Sequence, residues 1–316
     1  MSTPRKIRCS VESVTDHGDR VYAVGLKPER PVPAFRPGQF LHLALDEYDP
    51  SGFWPESRVF SIASCPRDRE KLRIIYSVKG VYTSRMEREL STGRMVWIKL
   101  PYGEFVVDAG ADAVLFAGGT GITAFQAFIE ELTPQHPHQV LLLYGARCPE
   151  LLLGRNAIES KAQSVQTFHP FFFAESIRPT PNPSRDGRQT LETQPQPVST
   201  SPAHPFMPRP SAEEATAFPS LEGSGVGQIF PSLACSAEAL VRRRKGSGVG
   251  HSSPCLQGPE TGILPGRLSL DILTDCAGSE SAIYYLAGPP AMISALTLGL
   301  GQRGIPAGRI RIDAWE

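Results

Sequence analysis

The stretch that most constrains this chain lies just past its first third. Ala113-Val114-Leu115-Phe116-Ala117 is an unbroken apolar run, followed by Gly118-Gly119-Thr120-Gly121 and then by a helical pattern from Ile122 to Leu132. A strand that is apolar at every residue must be covered on both faces, as in a parallel sheet flanked by helices. The same grammar continues with a strand from Gln139 to Tyr144, a helix near Glu150 to Lys161 and a strand around Phe168 to Ala174. It resumes at Arg267 with a helix near Leu268 to Leu273, a strand at Ala282–Ala287, a helix over Ala291–Arg303 and a final strand over Arg309–Asp313. Alternating strand and helix predicts a doubly wound α/β domain with a parallel sheet.

The residues before it follow another rule. Short runs at Val21–Leu26, Gln39–Leu45, Val59–Ala63, Leu72–Val78 and Met95–Leu100 are separated by turn signals such as Arg36-Pro37-Gly38 and Ser91-Thr92-Gly93. Regularly spaced short strands predict an antiparallel sandwich or barrel, interrupted by one helical pattern from Thr83 to Leu90. The expected division is therefore residues 1–108 and 109–316. Within the second part, residues 177–262 are rich in proline, serine and glycine, and Gly-Ser-Gly-Val-Gly occurs twice. Such a stretch buries too little apolar surface to offset its ordering entropy, so it reads as a long, low-complexity, disordered insertion inside one domain.

Composition narrows the function classes. The chain has 32 Lys+Arg against 32 Asp+Glu, and its longest basic block is Arg242–Lys245, which argues against a nucleic-acid partner. Met1–Ser10 lacks the apolar core of a secretory signal, and no run approaches the ~18 apolar residues of a membrane span. The six cysteines form no C-x-x-C pair, so neither a disulfide framework nor a zinc or iron–sulfur site is expected. These features predict a cytoplasmic location without membrane or metal.

Four elements carry chemistry. Arg58-Val59-Phe60-Ser61 alternates on a strand, placing Arg58 and Phe60 on one face; a guanidinium can pair with a diphosphate and an aromatic can lie on a planar ring. The plainer reading is an edge strand with a solvated arginine. Lys79-Gly80-Val81-Tyr82-Thr83-Ser84 joins a strand to a helix, where free N–H groups and the helix dipole can hold an anion, or where Thr83 or Ser84 simply caps the helix. Gly118–Gly121 would let a pyrophosphate approach the backbone, although its spacing is not that of the common dinucleotide fingerprint. Gly288-Pro289-Pro290-Ala291-Met292 follows another apolar strand and would line the same crevice, or is an ordinary strand–helix turn.

In this order the four elements resemble the ferredoxin–NADP⁺ reductase family, with smaller echoes at Pro37–Phe40, Pro101-x-Gly103-x-Phe105 and Leu142–Arg147. The resemblance implies a six-stranded antiparallel barrel that binds FAD, followed by a domain for NADPH or NADH. It implies that Arg58 holds the FAD diphosphate, that Phe60 stacks on the isoalloxazine and that Ser61 hydrogen-bonds near flavin N5. Val78, Gly80 and Thr83 would line the diphosphate and ribityl chain. Gly119, Thr120 and Gly121 would support the pyrophosphate and nicotinamide end, flanked by Gly288 and Pro289. The protein would hold nicotinamide C4 roughly 3–3.5 Å from flavin N5 and exclude water.

Two departures stand out. Ala287 occupies a position where the family often has cysteine, which predicts slower hydride transfer, and Ala124 replaces a common proline. At the chain end, Asp313 and Trp315 have the spacing of an acidic residue and an aromatic that covers the flavin; alternatively Trp315 packs on a strand end. Arg147, Ser176 and Arg178 favour a 2′-phosphate and hence NADPH, whereas Glu175 would suit a free ribose diol. The expected partner is a separate electron acceptor, a protein or a small molecule. The chain itself is expected to be a monomer or weak oligomer. A flavin-binding module or electron-transfer subunit with an impaired nicotinamide site is the alternative.

Overall fold

The computed structural model describes residues 3–176, 262–274 and 281–313. The expected disorder of the insertion, Arg178 and Trp315 all fall outside the described residues.

Strands β1 (Arg5–Asp16), β2 (Val21–Pro28), β3 (Phe40–Ala44), β4 (Ser57–Ser61), β5 (Leu72–Ser77) and β6 (Met95–Tyr102) form one antiparallel sheet in the order β4-β3-β6-β1-β2-β5. The sheet curls until Ala63, just past β4, donates its N–H to the Arg73 carbonyl of β5 at 2.8 Å, so the expected six-stranded barrel nearly closes. Alternate residues of each strand point inward, and Ile7, Cys9, Leu26, Leu41, Leu43, Ile74 and Ile98 fill the interior. Helix α1 (Val81–Glu89) adds Tyr82 and Met86 to that core. Gln39 ties the β2–β3 connection to the end of β6: its amide donates to the Gly103 carbonyl at 3.1 Å and accepts from Arg36 N–H at 2.8 Å. The small Pro37–Phe40 and Pro101–Phe105 motifs are thus structural partners.

The second sheet is parallel, with order β10-β9-β8-β7-β11-β12. Its strands are β7 (Ala113–Gly118), β8 (Val140–Ala146), β9 (Phe168–Ala174), β10 (Ile263–Pro265), β11 (Ile283–Ala287) and β12 (Ile310–Ile312). The unbroken apolar run now has its reason. Leu115, Ala117, Leu142 and Tyr144 face a core shared with α2 (Thr123–Glu131) and α3 (Arg155–Ser164), while Val114, Phe116, Leu141 and Leu143 face one shared with α4 (Pro290–Gln302). One strand feeds two cores.

Three local expectations change. The helix expected near Glu150 becomes a 3-10 turn at Pro149–Leu151 and then α3, because Gly154 at φ 72° interrupts the helical path. The Leu268–Leu273 helix is a 3-10 turn over Leu270–Thr274. Ile263–Pro265, just past the bounds of the expected insertion, is an edge strand beside β9, too short for a period to show in sequence.

The two sheets belong to one compact unit. Val21, Ile75, Phe105 and Val107 leave the barrel to join the cluster that contains Ala117, Ile122, Phe125, Tyr285 and Ala287. Around it, Tyr285 Oη accepts the Asp108 N–H at 2.9 Å, Arg73 pairs with Glu130, and Arg67 pairs with Glu131 at 3.7 Å. Among the described residues, no helix is long and apolar enough to cross a membrane. Phe125→Ala empties the middle of this seam and is expected to cost about 3–5 kcal/mol in urea-induced unfolding, against under about 1 kcal/mol if the ring packs loosely.

Candidate functional site

Two places hold the expected site residues. The first joins β4 to the start of α1. Register places Arg58 opposite Leu43 and Phe60 opposite Leu41, so both point to one face. The Arg58 guanidinium lies 4.8 Å from the Tyr82 ring centroid, donates to Glu56 at 2.9 Å and remains half exposed. Tyr82 is the residue that brings the elements together: its hydroxyl donates to the Leu43 carbonyl of β3 at 2.7 Å, locking the first turn of α1 against the barrel. Burial pushes the Tyr82 phenol up to about 12, so it stays a donor at neutral pH. Sequence reading named this tyrosine only as part of a turn, although an aromatic at the second position of a short helix was the available signal.

Thr83 does cap α1, in the reverse sense of the usual hydroxyl cap. Its Oγ1 accepts the N–H groups of Lys79 and Gly80 at 2.9 and 3.0 Å. The helix begins after them, and an α-helix start directs its next N–H groups outward. Arg58 therefore sits over a helix N-terminus with no acidic residue in its first turn, which suits an anion on two counts. Phe60 is half buried and meets Tyr76 edge-on at 6.1 Å, and Ser61 closes β4 half buried.

The second place is the carboxyl end of β7 and β11, adjacent parallel strands in which Ala117 lies opposite Ala287. Here the glycines divide into two kinds. A Cβ on Gly121 would fall 2.3 Å from the Ala287 carbonyl oxygen, and one on Gly288 (φ 147°) would fall 3.0 Å from Gly118 Cα. These glycines are required by the protein's own close packing. At Gly80 and Gly119, as at several turn glycines elsewhere, a Cβ meets nothing within 4 Å, and Gly119 is held at φ 53°. Their bare backbones open onto space, as a cradle for a phosphate or a ring would. The residues present thus fit a flavin diphosphate at Gly80 and a dinucleotide at Gly119. Thr120 follows in the 3-10 turn Gly119–Ile122, which lies beside β5, and Pro289 precedes α4.

The expected adenosine-side residues also gather. Ser176 donates its N–H to the Arg147 carbonyl at 2.9 Å, which sets the ends of β8 and β9 side by side. Glu175 pairs with Arg267 at 3.1 Å. Sequence reading missed Arg267 because the insertion separates the two. Arg147 itself pairs with Asp19 of the barrel. Asp313 donates its backbone N–H to the Leu286 carbonyl at 2.9 Å, beside Ala287, while its expected companion Trp315 lies outside the described residues. Ala287 is wholly buried. A cavity of about 290 Å³ between β2, β5, α2 and α3 contains none of these residues. Among the described residues no cluster of three or more His, Cys, Asp or Glu could hold a metal.

No family model matches the chain. It is 30% identical over 151 residues to a probable dihydroorotate dehydrogenase B (NAD(+)) electron transfer subunit of Methanopyrus kandleri, covering 48% of this chain and 53% of that one. It is 30% identical over 142 residues to the reductase component of phenol 2-monooxygenase from Pseudomonas sp., covering 43% and 38%. The chain thus spans about half, or less, of the length of the relatives it matches. Among solved structures, the Amycolatopsis cytochrome P450 reductase superposes with TM-score 0.63 at 19% identity, covering 100% of this chain and 71% of that one. The flavohem-like FAD/NAD binding domain of Vibrio cholerae nitric oxide dioxygenase superposes with TM-score 0.61 at 14% identity, covering 97% of both. The matched relatives are a reductase component and an electron transfer subunit, and the fold is that of the solved reductases on which the chain superposes. Its reductase-like fold puts the barrel's Arg58 corner and the two glycine turns in one compact unit.

The two kinds of glycine give a direct test. Gly121→Ala is expected to destabilise the protein by about 1–3 kcal/mol, because backbone must shift. Gly80→Ala should change the stability of the flavin-free protein by about 1 kcal/mol or less and yet lower retained flavin several-fold, read from absorbance after gel filtration. Unchanged flavin content in Gly80→Ala would contradict the cradle at Gly80.

Proposed function

We propose that this chain is an FAD-dependent oxidoreductase that accepts a hydride from NADPH or NADH and passes electrons to a separate acceptor. On this reading residues 1–108 are the flavin domain and 109–316, interrupted by the insertion 177–262, the dinucleotide domain. One conjunction carries the reading: Arg58 lies over the N-terminus of α1 beside the open backbone of Gly80, and the open backbone of Gly119 follows the carboxyl end of β7.

FAD, when bound, supplies the chemistry that converts a two-electron donor into electrons for an acceptor. The chain's own residues bind and orient. Arg58 gives a bidentate cation to the diphosphate, held at the α1 start by its contact with Tyr82. The first-turn N–H groups of α1 and the bare backbone of Gly80 complete that cradle. Phe60 offers an apolar face for the flavin ring, and Ser61 a hydroxyl beside it. Gly119, Thr120 and Gly121 receive the dinucleotide, with Gly288 and Pro289 as its other wall and Asp313 beside Ala287. Arg147 and Ser176 take the adenosine end. The apolar seam of Ile75, Ile122 and Phe125 keeps water from the packing beneath the Gly119–Ile122 turn. The acceptor is proposed to be a separate protein such as an oxygenase component, a reading supported by likeness to the reductase component of a Pseudomonas phenol 2-monooxygenase.

Anaerobic titration tests the reading. The purified protein should be yellow, and its flavin absorbance should bleach on addition of NADPH or NADH and return with an acceptor. A protein that retains no added FAD would overturn the proposal; one that is yellow but inert to both nicotinamides would be a flavin-binding module instead.

A further inference from the structure

Asp19 had no role in the sequence reading, yet it makes an ion pair between the barrel and the adenosine end of the parallel sheet. We propose that Asp19 is a positioning residue that sets nucleotide preference, its carboxylate competing with the 2′-phosphate of a nicotinamide dinucleotide for Arg147. The inference rests on the proposed role of Arg147 as a nucleotide contact.

The geometry behind it is unusual. Asp19 and Arg20 form the tip of the β1–β2 hairpin, and both are left-handed, at φ 51° and 58°. Asp tolerates that region through local hydrogen bonding, whereas Arg has no such help. The strained tip is held on every side. His17 and Val21 N–H groups bond to Val21 and Gly18 carbonyls at 2.9 Å, and Gly18 N–H bonds to the Asp16 carboxylate at 2.8 Å. Val78 donates to the Arg20 carbonyl at 3.0 Å, and the Arg20 guanidinium reaches Glu87 of α1 at 2.7 Å. The Asp19 carboxylate is thus presented from a fixed hairpin, anchored to the strand end next to Gly80, and it meets Arg147.

Arg147 is fixed at its own end by the Ser176 N–H on its carbonyl. Its side chain is 67% exposed and that of Asp19 46%. An exposed pair of this kind is weak and exchangeable. A phosphate monoester, carrying about −1.5 to −2 charge at neutral pH, can displace a carboxylate of charge −1, but only by giving up the existing pair. A free ribose diol makes no such demand on Arg147. The carboxylate therefore penalises 2′-phosphorylated nucleotides selectively, by up to about fivefold at low salt. The neighbouring Glu175 is already matched to Arg267 at 3.1 Å, so Asp19 is the carboxylate that acts on Arg147.

The test uses the full-length, FAD-loaded protein and two probes: adenosine 2′,5′-bisphosphate and adenosine 5′-monophosphate, with binding measured by calorimetry. Asp19→Asn is the right variant, because Asn keeps the left-handed turn. Expected is about three- to fivefold tighter binding of the bisphosphate, no change for the monophosphate, loss of the effect at high salt, and no effect of Asp19→Asn in an Arg147→Gln background. In turnover, the KM for NADPH should fall with kcat unchanged, and both constants for NADH should stay put. If Arg147→Gln weakens the bisphosphate while Asp19→Asn leaves it unchanged, the inference about Asp19 is overturned and the role of Arg147 stands. If Arg147→Gln leaves bisphosphate binding unchanged, Arg147 is no nucleotide contact and both fall.

Discussion

The apolar seam between the two sheets is the contact on which the rest depends. Val21, Ile75, Phe105 and Val107 belong to barrel strands and their exit, yet they are buried among Ala117, Ile122, Phe125, Tyr285 and Ala287 of the parallel-sheet half. Burial of each larger side chain contributes on the order of 1.5–3 kcal/mol, more than any of the surrounding exposed ion pairs. Without this seam the barrel would expose an apolar outer face, and the glycine turn would lose the floor beneath Ile122. The ion pairs Arg73–Glu130 and Arg67–Glu131 line its edge and fix orientation more than they add stability.

From the seam outward, position follows from close packing. Gly121 must be glycine because the Ala287 carbonyl occupies the space of a side chain, and Gly288 because Gly118 does. Those contacts bind the ends of β7 and β11 into one ledge. Gly119 then projects its backbone from the ledge with nothing opposite, in a turn beside β5, while α1 starts just past the carboxyl end of β5 with Arg58 laid across Tyr82. The two open glycines are thus held by a rigid frame, which is what orienting two cofactors requires.

Much of this was legible in sequence because it is local. The apolar strand, glycine turn and helix at Ala113–Leu132 declare a parallel sheet, and Arg58-x-Phe60-Ser61 lies on a strand whose alternation can be counted. What was not legible depends on contacts across the chain. Tyr82 earns its role from the Leu43 carbonyl, Arg267 from Glu175 on the far side of the insertion, and Asp19 from Arg147. No pattern of period 2 or 3.6 records such pairings. The short β10 and the 3-10 turns at Pro149 and Leu270 hold too few residues for a period to form, and Gly154 breaks a helix that composition alone would continue.

Direct reaction of nicotinamide with flavin is the central step of the proposed function. Single-turnover reduction of the FAD-loaded protein under anaerobic conditions, with NADPH or NADH deuterated at either face of nicotinamide C4, addresses it most directly. One stereoisomer should slow bleaching of the flavin several-fold while the other leaves it unchanged. Equal rates for both isomers and the unlabelled donor, or flavin that never bleaches, would contradict the account.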